Sequence, residues 1–191
     1  MNSVAVPQGP VAAPVAENLD YLKELGVRLA TVEEIPWLVE MARQFNENTR
    51  FREYRFAPRR IAAQLRALMD GRGPRARVFL ANDDAGRPVG VLIGCVQEMI
   101  FTEDPVAGVM FFWVLPGHAW DGAALRLLRA FARWSVDLGA KAINVAITSG
   151  EHIEQTERVF RALGFDYTGG TFSLSTSAMT PAVRRRLLGT P

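Results

Sequence analysis

LPGHAWDGAALRLL, from Leu115 to Leu128, decides how the rest of this chain is read. The apolar run MFFWVL, Met110 to Leu115, enters it and is cut by Pro116 and Gly117. Small and polar residues follow. Then Leu125, Leu127, Leu128, Phe131, Ala132, Trp134 and Leu138 recur at helical spacing as far as Gly139. The stretch reads as a strand, a short loop and a long, largely buried helix. Such a loop either cradles an anion or only turns the chain. Gly122 and Ala124 are small enough for backbone N–H groups to approach a phosphate, and a helix N-terminus adds partial positive charge. Gly122 is equally the default residue at a crowded turn.

Asn18 is placed to cap a short helix, LDYLKEL, which Gly26 ends. VRLA, from Val27, reads as a first strand. Thr31 and Glu34 have capping-box spacing, and Ile35, Leu38, Val39, Ala42 and Phe45 keep a helical stripe. Pro58 suits the first turn of a second helix, RRIAAQLRALMDG, closed by Gly71. RVFLAND and VGVLIGCVQEM are strands joined by the hairpin turn DAGRP. FTEDPVA reads as a loop, and GVMFFWVL as a strand too apolar on both sides to lie at the surface. After the long helix, AINVAI is a further buried strand, HIEQTERVFRALG a helix ended by Gly164, and DYTGGTFSLS a closing hairpin. The order β-α-α-β-β-β-α-β-α-β-β predicts an α/β (α+β) fold, a single mixed, mostly antiparallel sheet flanked by helices. Residues 1–26 form a Pro/Ala-rich leader and short helix, 27–175 the domain, and 176–191 a basic tail.

Composition narrows the function classes. At 49% hydrophobic and 22% charged residues the chain has the make-up of a soluble globular protein. No apolar run reaches the roughly 18 residues of a membrane span, and the leader has no basic segment of a signal peptide. Cys95 is the single cysteine, set in an apolar strand, which excludes an internal disulfide and points to a cytoplasmic protein. With two histidines and no carboxylate cluster at ligand spacing, no metal site is expected. The net charge of +2 is uneven: residues 50–77 hold nine arginines against Glu53 and Asp70. Within that segment RFREYRF, Arg50 to Phe56, alternates planar cations with aromatics.

VLP, Val114 to Pro116, followed by AWDGAA, Ala119 to Ala124, and LRLL resembles the acyl-CoA motif of the GNAT superfamily of N-acetyltransferases. VFRALGF, Val159 to Phe165, resembles the family's last helix, and the likeness covers roughly residues 27–175. It implies acetyl-CoA as co-substrate. Gly122, Ala123 and Ala124 would donate to the pyrophosphate, while Trp113, Val114 and Leu115 would pair their backbone with the pantetheine arm. Glu98, near the end of the third strand, would take the proton of the attacking amine directly or through water; its alternative is a solvated strand-end carboxylate. Ala119 stands where the motif has Arg or Gln, and Asp121 adds a negative charge worth ~1 kcal/mol of repulsion in water. Phe160 stands where the family places the Tyr that protonates the leaving thiolate, and Ile153 where it often has Asn. Ser149, after the fifth strand, is the candidate replacement donor, or else a helix cap.

Three readings stay open. The first is transfer of an acetyl group to a primary amine of a small molecule or protein. The second is a GNAT scaffold without turnover that serves in a larger assembly. The third is binding or modification of nucleic acid, with Arg50, Arg52 and Arg55 meeting an anionic partner. If RFREYRF only pins its aromatics into the core, those arginines are merely solvated.

Overall fold

Gly26 turns the chain at φ +61° between a first helix, α1 (Tyr21–Glu24), and a first strand, β1 (Val27–Leu29). An added Cβ would come within 2.6 Å of the Arg126 guanidinium, the movable end of a long side chain, so it is the dihedral that calls for glycine. The computed structural model describes residues 19–71, 75–118, 122–170 and 179–188. The chain divides into two units, 1–145 and 146–191. In the first, α2 (Ile35–Glu47), α3 (Pro58–Met69), β2 (Arg75–Asn82), β3 (Pro88–Met99), β4 (Thr102–Val114), α4 (Ala123–Asp137) and β5 (Ala142–Asn144) follow in order. The second holds α5 (Ile153–Ala162) and α6 (Pro181–Leu188).

Local chemistry starts and stops these elements. Thr31 and Glu34 form the expected capping box, with the Thr31 N–H donating to Glu34 Oε2 at 2.9 Å. Arg28 on β1 grips the same carboxylate, its Nη1 2.7 Å from Oε2. That guanidinium holds the Glu34 carboxyl below the usual carboxylate range against the opposing pull of burial. Asp83 Oδ1 accepts the N–H groups of Ala85 at 3.0 Å and Arg87 at 2.8 Å, which fastens the DAGRP turn. Gly139 (φ +77°) and Gly164 (φ +89°) end the long helix and α5.

The sheet runs β1-β2-β3-β4-β5, antiparallel except where β5 joins β4 in parallel. Val78 pairs with Ile93 and Leu80 with Val91, so these four share one face. Against it pack Ile35, Leu38 and Met41 of α2 and Leu65 of α3. The other face carries α4: the Phe79 ring lies 6.5 Å from Phe131 and 5.8 Å from Trp134. Gly94 sits so close beneath Phe131 that a Cβ would overlap the ring. Each such side chain contributes about 1.5–3 kcal/mol by burial. The buried hydroxyls are satisfied, Ser135 Oγ donating to Phe131 O at 2.7 Å and Tyr21 to Ala130 O at 3.3 Å. The last bond ties α1 to α4.

Four expectations change. From Thr102 onward FTEDPVA is strand and not loop, because Ile100 and Phe101 alone turn the chain and pairing resumes at Met99↔Thr102. Glu98 pairs next with Pro105, leaving Glu103 and Asp104 as an extra pair in β4. An irregularity of this kind accommodates a proline, and long-range pairing overrides the turn-forming composition. GVMFFWVL is less enclosed than its composition implies: within β4 only Ala107 is fully buried, and Met110 is 54% exposed. AINVAI is strand only over Ala142–Asn144 and is not buried, as befits a short edge strand. The expected closing hairpin shows no strand over 166–170. Residues 171–175, the boundary after 175 and the Asn18 cap lie outside the described residues.

Candidate active site

β4 changes neighbours along its length. Val106, Ala107 and Gly108 pair with Ala142, Ile143 and Asn144 of β5, and beyond Gly108 no described strand lines that side. Backbone groups of an antiparallel strand point alternately to its two sides. The Leu115 N–H donates to Val89 O at 2.9 Å, so Leu115 and Trp113 turn toward β3, while Val114 and Phe112 turn toward the open side. Of the three residues expected to pair with an extended ligand, only Val114 keeps that geometry. The carbonyl of Leu115 is also engaged, accepting the His118 N–H at 3.0 Å. The strand has two edges, and the motif alone does not say which residue serves which. Toward the middle of β4 the register slips, since Ile93 faces Phe111 while Gly94 faces Val109. Met110 is therefore a bulge residue, its peptide set out of the ladder.

Beyond Val114, Pro116 and Gly117 (φ +94°) form the turn that the Leu115–His118 bond closes. Gly122 then opens α4 at φ +80° and ψ +3°. That left-handed conformation is why the residue is glycine. Crowding is not the reason, because among the described residues, its chain neighbours aside, nothing lies within 4 Å of the position its Cβ would take. The positive end of the α4 dipole lies at this residue. Ala123 is fully buried and Ala124 half-buried. Ala119 and Asp121 lie outside the described residues.

On the α2/α3 face of the sheet a cavity of about 650 Å³ opens, within the ~300–1,000 Å³ usual for small-molecule sites. Val91, Ile93, Met110 and Phe111 form its floor, α2 and α3 its walls, and RFREYRF its rim. Phe45 lies 5.1 Å from Phe111 and 5.5 Å from Phe51, and Phe51 lies 6.0 Å from Tyr54, giving a continuous aromatic wall. Asn46 Nδ2 donates to Phe51 O at 2.6 Å and Thr49 Oγ1 accepts the Phe51 N–H at 3.3 Å, which fixes the rim. Arg55 and Arg60 line the cavity, and among the described residues no Asp or Glu does. Arg50 stacks over Phe51 at 5.0 Å, whereas Arg52 is exposed and outside the cavity. This site has no counterpart in a single motif; the alternation in RFREYRF was its one signal.

The remaining candidates disperse. Glu98 is exposed, does not line the cavity, and shares its strand face with Gly94, the face that carries α4. Ser149, in the second unit, accepts the Glu151 N–H at 3.3 Å, the arrangement of a loop cap. Phe160, in the same unit, packs edge-on against Phe165 at 5.3 Å. Cys95 is buried, and burial pushes its thiol up, as a core residue. Among the described residues no group of three His, Cys, Asp or Glu could hold a metal, and no helix is long and apolar enough to cross a membrane.

The family model described as "Acetyltransferase (GNAT) family" matches residues 37–165, more than half of the chain. The chain belongs to the GNAT acetyltransferase family. A search of curated proteins by sequence returns no match for this GNAT chain. Among solved structures, it is similar to an aminoglycoside 6′-N-acetyltransferase from Acinetobacter haemolyticus, at 18% identity and TM-score 0.58 over 78% of this chain and 97% of that one. It is also similar to an aminoglycoside N-acetyltransferase in complex with CoA, at 18% identity and TM-score 0.57 over 78% and 98% of the two chains. A transcriptional regulator from Bacillus halodurans C-125 aligns at 14% identity and TM-score 0.64 over 78% and 97%. At such identities the likeness shows the GNAT fold alone.

Proposed function

We propose that this GNAT protein is an acetyl-CoA-dependent N-acetyltransferase, acting in the cytoplasm on a primary amine seated in the α2/α3 cavity. What carries the reading is the double use of β4. Its open edge at Phe112 and Val114 runs into the turn before Gly122, while its bulge residue Met110 lines the cavity. The residues fit a CoA. Gly122 leaves room for a phosphate at the head of α4, with Ala123 and Ala124 as the next small residues. Val114 and Phe112 offer backbone groups to the amides of a pantetheine arm, as an added strand would. Acetyl-CoA supplies an acyl group activated as a thioester. Backbone N–H groups at the Met110 bulge are the donors for the thioester oxygen.

Water takes the proton of the amine, since Glu98 stands on the face of the sheet opposite the cavity. Phe160 has no proton to give the thiolate, so solvent supplies it. The CoA complex and the aminoglycoside enzymes among the structural neighbours support this co-substrate and this class of nucleophile. Phe160 favours a second reading, a GNAT scaffold that binds without turnover. Thiol release from acetyl-CoA, followed with and without a panel of primary amines, separates the two. Amine-dependent release is the expected result, and acetyl-CoA binding with no release under any amine would leave the second reading standing.

A further inference from the structure

We infer that the acceptor is an apolar, preferably aromatic, amine that also carries an anionic group, a carboxylate in the simplest case, and that Arg55 and Arg60 bind that group. The inference rests on the acetyltransferase reading and adds the class of substrate to it. The cavity wall is built of Phe45, Phe51, Tyr54 and Phe111, which reward burial of a ring or an alkyl chain. Arg55 and Arg60, both exposed, are among the residues that line this cavity, and among the described residues no Asp or Glu lines it. Among the described residues neither has a hydrogen bond, an ion pair or a ring contact. A guanidinium fork at the edge of an apolar cavity matches a planar carboxylate in shape and charge.

The same charge distribution selects against other amines. A polycation would meet two like charges and no carboxylate, so this cavity is unsuited to an aminoglycoside, whatever the structural neighbours accept. A monoamine gains from the arrangement. Two nearby cations disfavour its ammonium form and enrich the neutral amine, which is the nucleophile. A carboxylate on the substrate offsets them at its own end.

Calorimetric titration of the full chain, without acetyl-CoA, tests the inference with three probes: phenylalanine, phenethylamine and kanamycin. Phenylalanine is expected to bind at least about tenfold more tightly than phenethylamine, a difference within reach of one charge-assisted pair, and kanamycin not to bind. In the double variant Arg55→Ala, Arg60→Ala the preference for phenylalanine should fall below about twofold while the melting temperature stays near wild type, since exposed arginines add little stability. Equal binding of phenylalanine and phenethylamine, tighter binding of kanamycin, no binding of any probe, or an undiminished preference in the double variant would each overturn it. Because acetyl-CoA is absent, the outcome is independent of turnover. Carboxylate preference can hold with no transfer, and amine-dependent transfer can hold with no such preference.

Discussion

Glu98 and Met110 belong to the same β3–β4 hairpin, yet they serve opposite faces of the sheet. Met110 lines the cavity, while Glu98 shares the α4 face with Gly94 and is exposed. A carboxylate in contact with the reacting amine contributes about 10²–10⁴-fold to the rate. From its observed place Glu98 does not reach the amine, so Glu98→Gln should change kcat/KM for amine acetylation by less than about tenfold. A hundredfold loss in that assay would put the carboxylate in the site and the account of proton removal would fall. Gly122 shows how residue-scale reading works. Its small size and its place before the helix were legible, because spacing is a property of the chain. Its φ of +80° was not, because that angle depends on how a strand and a helix of particular directions are joined. Trp113 and Leu115 escaped for a similar reason, their backbones being turned to β3 by a pairing phase set elsewhere.

Elements whose signals are local were legible. The Thr31–Glu34 capping box, Pro58 at the start of α3, the DAGRP turn and the glycines after α4 and α5 all stand where their chemistry demands. The extent of β4 and the brevity of β5 were not, because each depends on a partner strand distant in sequence. Arg28 joins the two kinds of information, since it reaches from β1 to the carboxylate that caps the next helix. Removing that charge by Glu34→Gln should cost about 1 kcal/mol at neutral pH, the scale of a cap plus a half-exposed ion pair. Arg28 lowers the folded-state pKa of Glu34 beneath its unfolded value of about 4.3. The contribution is therefore complete above that pH and lost as pH falls through the lower, folded value. Urea midpoints of wild type and variant should differ at pH 7 and converge on acidification. A gap that stays constant or widens toward low pH would mean that the ion pair is not what Glu34 supplies.

At the scale of the whole molecule, the GNAT assignment fixes the scaffold and leaves the acceptor to the cavity. Neighbours of 14–18% identity share the fold while being described as enzymes and as a regulator, so activity has to be argued from particular groups. In this chain those groups gather along β4 and at the head of α4, and the central claim is that the head of α4 receives the phosphates of acetyl-CoA. Calorimetric titration of acetyl-CoA into wild type, Gly122→Asn and Gly122→Asp tests it most directly. Asn and Asp are alike in size and both tolerate a left-handed φ, so the pair differs only in charge. A carboxylate a few ångströms from a phosphate costs ~1 kcal/mol in water and more where water is excluded. The account predicts measurable binding by wild type and a Gly122→Asp affinity at least about fivefold below that of Gly122→Asn, with the gap narrowing in high salt. Absence of binding by wild type, or equal affinities of the Asn and Asp variants, would contradict it.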